Sequence, residues 1–410
     1  MLKFPKDFLW GAATSSYQVE GGNVNCDWWQ WEKSAGKAMS GDACRHYALY
    51  EYDFDIVKSL NHNAHRLSIE WSRVEPREGK FSQKELQHYL DVILALRKRN
   101  IEPIVTLHHF TNPIWFAKSG GWENQRSIER YLRYCNFVVR ALSKYVRYWI
   151  TINEPTIFIS HAYIIGAWPP QKKSLLKAAY VEEHLALAHI KAYHLIHKIY
   201  KELNRGSPSV SIAQNVMAFI PCENNLRNRL AAYLRAKVYN IGFLERISMG
   251  NFLKRMPLDF IGINYYSRQV VSLKQLGAGN FAMDVCEKKH HRIAKNSLGW
   301  DIYPKGLYDV LLELKKYNLP IMLTENGICT HDDSQRWKYI YDHLKYIHRA
   351  MKKGVNVIGY LYWSLMDNFE WDKGFNPRFG IVGINYKTYK RTIRKSAKKF
   401  AQVCKTGILK

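Results

Sequence analysis

Short apolar segments alternate with longer amphipathic segments along most of the chain. The short segments are rich in β-branched and aromatic residues, which is typical of buried strands. They predict strands over Phe8–Ala13, Ala64–Glu70, Pro103–His108, Tyr148–Asn153, Ser209–Asn215, Leu258–Tyr265, Pro320–Glu325 and Val357–Trp363. The longer segments carry apolar residues at intervals of three and four and predict helices over Gln83–Arg99, Ile128–Tyr145, Ala178–Leu203, Leu226–Ser248, Lys305–Tyr317 and Ser334–Lys353. This alternation indicates repeated βα units around a parallel sheet.

Eight strands with interleaved helices favour one closed barrel over an open, doubly wound sheet. A chain of 410 residues could hold two or three domains, but a large barrel can use this length as one, and no Pro/Gly/Ser-rich linker divides the sequence. With 47% hydrophobic and 14% aromatic residues, the chain can bury a sizeable core, which excludes disorder for most of it. We predict a single (β/α)8 TIM barrel of the α/β class over residues 1–410, with an active site at the C-terminal ends of the strands.

The net charge of +26, from 61 Lys and Arg against 35 Asp and Glu, suggests a nucleic-acid partner at first sight. Basic residues are concentrated at 172–177 and 387–399. In the second segment they surround Ile393, Ala397, Phe400 and Val403, which is the pattern of a closing amphipathic helix with a solvated basic face. Neither an RNA-binding aromatic signature nor a zinc-finger spacing occurs, so we expect no nucleic-acid partner.

Membrane spans, disulfides and metal sites are not indicated either. No apolar run approaches the roughly 18 residues of a membrane span, and no signal-peptide pattern precedes Phe8, so we expect no membrane partner and a cytoplasmic location. An odd number of scattered cysteines without a C-x-x-C pair predicts free thiols at Cys26, Cys44, Cys135, Cys222, Cys286, Cys329 and Cys404. One predicted helix carries four histidines, of which only His194 and His197 have ligand-like spacing, so we expect helix packing and no metal.

Polar and aromatic clusters follow six of the predicted strands, at the end where barrel active sites are built. The clusters are Ser16-Tyr17-Gln18, His108-His109, Asn153-Glu154-Pro155, Asn264-Tyr265-Tyr266, Glu325-Asn326-Gly327, and Trp363 with Glu370-Trp371. Since the C-terminal ends of the strands in a barrel share one rim, we expect these clusters to converge on one mouth.

Two carboxylates, Glu154 and Glu325, each close an apolar strand. Either one alone could be a helix N-cap or a surface residue. Two partly desolvated carboxylates facing one cavity are instead the groups needed to cleave a glycosidic bond. Aromatic residues in the predicted βα loops suit the apolar faces of a sugar, although each one alone could serve packing; they are Trp115, Trp122, Trp168, Trp363, Trp371, Phe375 and Phe379.

Six stretches of the chain together resemble glycoside hydrolase family 1, the β-glucosidase and β-galactosidase type of retaining enzyme. They are Phe8–Gly21, Arg66–Arg73, Ile152–Pro155, Gly262–Ser267, Thr324–Gly327 and Tyr362–Trp371. The resemblance runs from Phe4 to the end of the chain.

The resemblance implies a role for each matching residue. Glu154 is expected to be the general acid/base and Glu325 the nucleophile, with Arg66 and Tyr266 holding Glu325 ionised and oriented. The implied glycone site consists of Gln18, His109, Asn153, Asn264, Trp363, Glu370, Trp371 and Phe379. No metal and no cofactor is implied, and the partner is a small β-glycoside or oligosaccharide.

A retaining mechanism places the two carboxylates about 5–5.5 Å apart. It also requires a split between their pKa values, which we expect to be low for Glu325 beside Arg66 and raised for Glu154. In the family, the position of Glu370 reads the 4- and 6-hydroxyls of an unphosphorylated sugar, and a carboxylate there would repel a phosphate. The expected function is hydrolysis of unphosphorylated β-D-glucosides, with galactosides and fucosides also open.

The chain departs from the family in length. It is shorter than the family pattern between Gln214 and Pro257, where a barrel segment and rim loops are expected to be trimmed, and Ser267–Leu298 is predicted as an irregular rim loop. A more open rim that tolerates bulky aglycones would follow. A non-catalytic sugar-binding barrel and a mainly transglycosylating enzyme stay open as alternatives, and the protein is expected to be a monomer or a small homo-oligomer.

Overall fold

Eight parallel strands form a closed barrel in which each strand pairs with its neighbours in the sequence and the last pairs with the first. The computed structural model describes residues 1–249, 256–272, 286 and 291–410. The strands are β1 (Leu9–Ala13), β2 (Ala64–Ser68), β3 (Glu102–His108), β4 (Tyr148–Asn153), β5 (Ser209–Pro221), β6 (Ile261–Val271), β7 (Ile321–Asn326) and β8 (Val357–Trp363). The predicted (β/α)8 barrel is therefore confirmed.

Both faces of the barrel wall are buried, which explains why the strands are apolar throughout rather than alternating. Small and branched side chains fill the interior, among them Ala13, Ala64, Ile104, Ile150, Ala213, Met322 and Leu361. The outer face packs against the surrounding helices in a larger core that runs around the barrel.

Helices connect the strands on the outside of the barrel. The α-helices are α1 (Ser16–Val19), α2 (Asp27–Ser34), α3 (His46–Ser59), α4 (Trp71–Val74), α5 (Gln83–Lys98), α6 (Ile114–Lys118), α7 (Ser127–Leu142), α8 (Pro155–Ile159), α9 (Leu175–Glu202), α10 (Leu226–Ala236), α11 (Gly242–Met249), α12 (Pro304–Leu314), α13 (Asp333–Lys352) and α14 (Lys395–Thr406). Short 3₁₀ turns cover Gly121–Glu123, Lys315–Tyr317 and Trp371–Lys373, and π turns cover Ser160–Ile165 and Lys237–Ile241. No helix in the described part of the chain is long and apolar enough to cross a membrane.

Local sequence explains where several of these helices begin. The Ser82 hydroxyl accepts a hydrogen bond from the Glu85 backbone N–H at the start of α5, as the Ser-x-x-Glu pattern requires.

The segment 226–248 was predicted as one helix, but a π turn separates α10 from α11. Within this turn the Asn240 side chain bonds both the backbone N–H and the carbonyl of Met217, which ties the turn to β5.

Strands β5 and β6 continue well beyond their predicted ends at Asn215 and Tyr265. The pairing shifts register between Val216 and Ala218 and then runs on to Pro221 opposite Val271. Residues 267–271, predicted as part of the irregular loop, therefore belong to a strand. The expected trimming between 214 and 257 removes no strand, since all eight are present. Most of the predicted loop, residues 273–285 and 287–290, lies outside the described residues.

The prediction that every cysteine is free is wrong for two of them. Cys222 and Cys286 form a disulfide, and the other five cysteines are free. Cys222 follows directly after β5, and 64 residues separate it from its partner, so only the folded chain brings the two sulfurs together. The sulfurs of these two cysteines and a ring nitrogen of His291 lie within 4.8 Å of one another.

The predicted amphipathic closing helix, α14, forms from Lys395 onward, whereas Ile393, which the prediction counted on its apolar face, lies in a short strand. Ala397, Phe400 and Val403 are buried in it. Two arginines just before this helix are used in buried or half-buried ion pairs, Arg391 with Asp53 and Arg394 with Asp367. Two small antiparallel sheets flank this region, Leu2–Lys3 with Ile408–Leu409 and Val382–Ile384 with Arg391–Ile393.

Candidate active site

Glu325 lies in β7 near its C-terminal end and is held by two donors. The Arg66 guanidinium donates to Oε1 at 2.5 Å, and the Tyr266 hydroxyl donates to Oε2 at 2.5 Å. Each carboxylate oxygen therefore has its own partner, and the plane of the group is determined. Charge-assisted hydrogen bonds of this kind are stronger than neutral ones.

Arg66 is fixed in turn by residues of the next two strands, β3 and β4. Its side chain extends from β2 and is fully buried. Its Nε donates to the Thr106 hydroxyl at 3.0 Å and its Nη2 to the Asn153 carbonyl oxygen at 2.7 Å. A planar fork with several donors can bridge neighbours in this way, whereas the ammonium of a lysine could not.

Glu154 occupies the N-cap position of α8, as the simpler interpretation of the sequence allowed, but its side chain makes no capping bond. Its backbone has a φ of 43°, an uncommon conformation for a residue other than glycine. The carboxylate Oε1 instead accepts hydrogen bonds from the side-chain amides of Asn215 and Asn264, both at 2.8 Å. The Asn264 amide also lowers the pKa of Glu325, so one residue acts on both carboxyl groups.

The surroundings raise the pKa values of both carboxyl groups. Burial and then the negative charge of Glu325 raise the pKa of Glu154 to about 8, against the lowering effect of the two amide donors. Burial also raises the pKa of Glu325 above its ordinary value, although the Arg66 charge and the Tyr266 hydroxyl lower it. The expectation of a low pKa for Glu325 is thus wrong, because desolvation outweighs the cation. The expected raised pKa of Glu154 is confirmed.

A second polar group lies at Gln18 and Glu370. The Gln18 amide donates to the Phe369 carbonyl at 2.8 Å and lies 3.4 Å from Glu370 Oε2. The side-chain carbonyl oxygen of Gln18 accepts a hydrogen bond from the Ser15 hydroxyl. Burial and the charges of Glu325 and Glu154 raise the pKa of Glu370 to about 8. The effect of the Glu325 and Glu154 charges on the pKa of Glu370 indicates that the three carboxyl groups lie near one another.

Aromatic rings form the wall between these groups. The His109 ring stacks against Trp363 and Trp371, with ring centres 6.0 Å apart in each pair. Its Nε2 lies 3.2 Å from the Asn153 amide, which connects the wall to the Arg66 network. Phe379 packs edge-on against Tyr266. Through these contacts the structure brings together all twelve site residues predicted from the sequence.

Several other residues suspected of binding sugar have structural roles. Trp122 is buried and donates to the Asn112 carbonyl oxygen, so packing accounts for its position. Phe375 packs against Phe369 and Tyr386. The histidines of α9 behave as predicted, since His189 bonds the Thr151 hydroxyl and the Pro257 carbonyl.

Sequence reasoning missed Asn215, which contacts Glu154, and Tyr239, which contacts Asn215. Asn215 donates to Glu154, and the half-buried Tyr239 donates to the Asn215 carbonyl oxygen at 2.8 Å. Asn215 ends the predicted fifth strand, so the rule that located the other clusters could have found it. Tyr239 lies in the π turn, and no sequence pattern pointed to it.

Comparisons with known proteins agree with this geometry. The model of glycosyl hydrolase family 1 matches residues 1–258 and 251–408. The chain is 32% identical to Beta-glucosidase A of Acetivibrio thermocellus over 452 aligned positions, which cover 99% of each protein. It is also 31% identical to a 6-phospho-beta-galactosidase of Clostridium acetobutylicum, with 98% of this chain and 97% of that protein covered.

Among solved structures, a beta-glycosidase from Pyrococcus horikoshii superposes with a TM-score of 0.87 and 38% sequence identity. The superposition covers 100% of this chain and 96% of that one. With the family model matched almost end to end and relatives of similar length, the chain belongs to glycosyl hydrolase family 1.

Proposed function

We propose that the protein is a retaining β-glycosidase that hydrolyses unphosphorylated β-D-glucosides, and also galactosides and fucosides, through a covalent glycosyl-enzyme. The observation that carries the proposal is the different treatment of the two carboxylates. Glu325 is gripped by a cation and a phenol, whereas Glu154 is held by two neutral amides. The first arrangement suits a nucleophile and the second a proton donor.

In the first step an oxygen of Glu325 attacks the anomeric carbon and the bond to the leaving-group oxygen breaks. Glu154 is protonated at neutral pH because its pKa is raised to about 8, so it can give its proton to the departing oxygen. Both carboxyl groups are buried, which strengthens the electrostatic interactions within the site.

In the second step a water molecule attacks the anomeric carbon and releases Glu325. The negative charge of Glu325 is the second-largest cause of the raised pKa of Glu154. That charge is absent from the ester, so the pKa of Glu154 falls and its carboxylate can take a proton from the water. The same pair thus serves as acid and then as base.

The charges around Glu370 support the proposal that the sugar is unphosphorylated. The charges that act on it come from Glu325, Glu154 and Asp372, and all of them raise its pKa. Because the raised pKa values leave Glu370 and Glu154 largely protonated at neutral pH, the negative charge that would repel a phosphate dianion there is that of Glu325. Since a 6-phospho enzyme is among the relatives, support for an unphosphorylated sugar comes from this local chemistry rather than from overall similarity.

At the level of the chain, we propose one catalytic domain over 1–410 with a shortened rim, located in the cytoplasm. The relatives align over more positions than the 410 residues of this chain, and the two matches to the family model meet at 251–258, inside the region expected to be trimmed. Five of the seven cysteines are free, as in a reducing compartment, while the Cys222–Cys286 disulfide is a feature that this location does not explain.

The test compares p-nitrophenyl β-D-glucoside, galactoside and fucoside with the 6-phosphoglucoside, for wild type, Glu325→Gln and Glu154→Ala. We expect wild-type turnover of the unphosphorylated substrates and loss of turnover by at least about 10³-fold in Glu325→Gln. NMR of the first-formed sugar is expected to show the β-anomer. Preferential turnover of the phosphorylated substrate, or the α-anomer as first product, would overturn the proposal.

A supplementary product analysis separates hydrolysis from sugar transfer. Free sugar and p-nitrophenol should appear in equal amounts. A large excess of p-nitrophenol with new oligosaccharides would favour the transglycosylating alternative. Binding without turnover in folded wild-type protein would favour a sugar-binding barrel.

A further inference from the structure

Helix α10 and the π turn after it present an apolar face to solvent. Leu226, Leu230, Tyr233, Leu234 and Val238 are exposed by 81%, 54%, 57%, 52% and 56%. Their spacing of three and four residues places the first four on one side of the helix. Scattered apolar residues on a surface are normal, but a continuous exposed stripe marks an interaction site. We call these five residues the α10 stripe.

The stripe belongs to an element that is firmly attached to the barrel. The opposite side of α10 buries Ala231 and Ala232, which pack with Val271 and Phe219 of the extended strands β6 and β5. The Asn225 side chain caps the start of the helix by accepting from the Asn228 N–H. Because α10 already packs against the barrel through its other side, docking of α10 to the barrel does not account for its exposed leucines.

Cations border the α10 stripe on both sides. Arg227 and Arg229 are exposed, and at 100° per residue they lie at opposite edges of the apolar side. The ammonium of Lys237 lies 5.3 Å from the centre of the Tyr233 ring. Residues 223–249 carry five cationic side chains against two glutamates. This combination of an apolar stripe with basic edges is the pattern of helices that lie in the interface of an anionic membrane.

Charge also decides between a membrane and a second copy of this chain. Two copies meeting stripe to stripe would bring arginine against arginine, and each copy carries a net charge of +26. A bilayer with anionic headgroups would attract the same charges while its acyl region accepts the leucines. We propose that the α10 stripe docks the enzyme peripherally on an anionic lipid surface. This contact needs no membrane-spanning helix and departs from the expectation of no membrane partner.

The experiment is sedimentation of the full-length protein with vesicles. Vesicles of phosphatidylglycerol and phosphatidylcholine are compared with pure phosphatidylcholine at low and high salt. We expect binding to the anionic vesicles, weaker binding in high salt, and an affinity at least tenfold lower for the Leu230→Ser/Leu234→Ser variant. Because these substitutions keep the net charge, the loss would measure the apolar contact alone.

Two control variants match the substitutions. Tyr52→Ser removes a side chain that is 51% exposed on α3. Helix α3 follows β1, which lies across the barrel from β5, so this control is far from the α10 stripe. Arg227→Gln/Arg229→Gln is compared with Lys84→Gln/Lys98→Gln, which removes the same charge from exposed positions on α5. Only the α10 variants should lose binding beyond a twofold change. Circular dichroism and glycoside turnover of each variant establish that it is folded.

Three outcomes would overturn the inference. One is absence of binding to anionic vesicles at low salt. Another is equal binding by wild type and Leu230→Ser/Leu234→Ser, which would mean that the overall charge alone attracts lipid. The third is a dimer in vesicle-free ultracentrifugation that the same variant dissociates, which would identify a second copy as the occupant.

Discussion

Single residues set the proton chemistry of the site. Asn215 and Asn264 both donate to Glu154, and a donor to the charged form of a carboxyl group lowers its pKa. Burial and the charge of Glu325 act in the opposite direction and prevail, with a resulting pKa of about 8. The protonation state of Glu154 at neutral pH is thus a balance that one substitution can shift.

Removal of Asn215 should move the alkaline limb of the pH profile. In wild type we expect kcat/KM to fall as pH rises through about 8, because Glu154 loses its proton. Asn215→Ala removes a donor to the ionised form, so the pKa should rise further and the limb should shift upward by about 0.5–1 pH unit. Tyr239→Phe, which removes only the bond to Asn215, should shift it less.

The measurement is kcat/KM for p-nitrophenyl β-D-glucoside between pH 5 and about 10. Glu154→Ala is the reference, since it should lack this limb. A limb that stays in place or moves downward in Asn215→Ala would contradict the assignment.

Gly327, two residues after Glu325, is required by a close approach to the end of β8. A Cβ at this position would lie 1.8 Å from the carbonyl oxygen of Trp363. Gly327→Ala should therefore displace the end of β7 or β8, lower the free energy of unfolding by about 3 kcal/mol or more, and reduce kcat. Urea unfolding and turnover measure the two effects.

Gly242→Ala is the matched control, because its Cβ would meet only an ordinary contact at 3.7 Å in α11. It should be neutral or slightly stabilising. Equal stability of the two variants would show that the chain relaxes around position 327.

At the scale of elements, a buried ion pair joins the C-terminal region to α3. Arg391 donates to both carboxylate oxygens of Asp53, at 2.7 and 2.9 Å, and the His46 ring lies 2.8 Å from one of them. Burial alone would raise the pKa of Asp53, but the bonds to His46 and Arg391 outweigh it and hold that pKa below its ordinary value. These contacts hold the strand Arg391–Ile393 against helix α3.

Asp53→Asn should destabilise the protein by about 3–5 kcal/mol at pH 7, because Arg391 would stay buried without a counter-charge. A carboxyl group with a lowered pKa stabilises the folded protein above pH 3.8, the ordinary pKa. This stabilisation is lost as the pH falls through the pKa of the folded state. The difference between variant and wild type should therefore shrink in acid. Urea titrations at pH 7 and about 3 measure it. A difference that grows in acid would exclude this origin.

At the scale of the whole molecule, function opposes stability through buried carboxyl groups. The pKa values of Glu154 and Glu370 are raised to about 8 and that of Asp27 to about 7, in each case chiefly by burial. Between its unfolded and folded pKa, such a group binds more protons in the native state than in the unfolded state. The free energy of unfolding then decreases as pH rises.

We therefore expect the free energy of unfolding to decline from about pH 5 to 8 and then to level off for these groups. Glu154→Gln should flatten part of this decline and gain about 1–2 kcal/mol at pH 8, with little gain at about pH 4.5. Chemical denaturation across this range tests both points. A gain in Glu154→Gln that does not depend on pH would rule out the linkage.

The sequence by itself determined the barrel and the composition of its mouth. Strands buried on both faces must be apolar along their whole length, and a polar residue at their C-terminal end is conspicuous for that reason. Glu154 and Glu325 could be found in this way, and the resemblance of the motifs supplied their roles. The amphipathic closing helix α14 followed from its local pattern.

Only the tertiary structure decided how these residues act on one another. The disulfide partner of Cys222, the contact of Tyr239 with Asn215, and the raised pKa of Glu325 depend on distances between segments far apart in the chain. Local periodicity reports which face of an element is buried, but not which group lies opposite it. Desolvation, which governs all three carboxyl groups of the site, is a property of the assembled mouth and of no single segment.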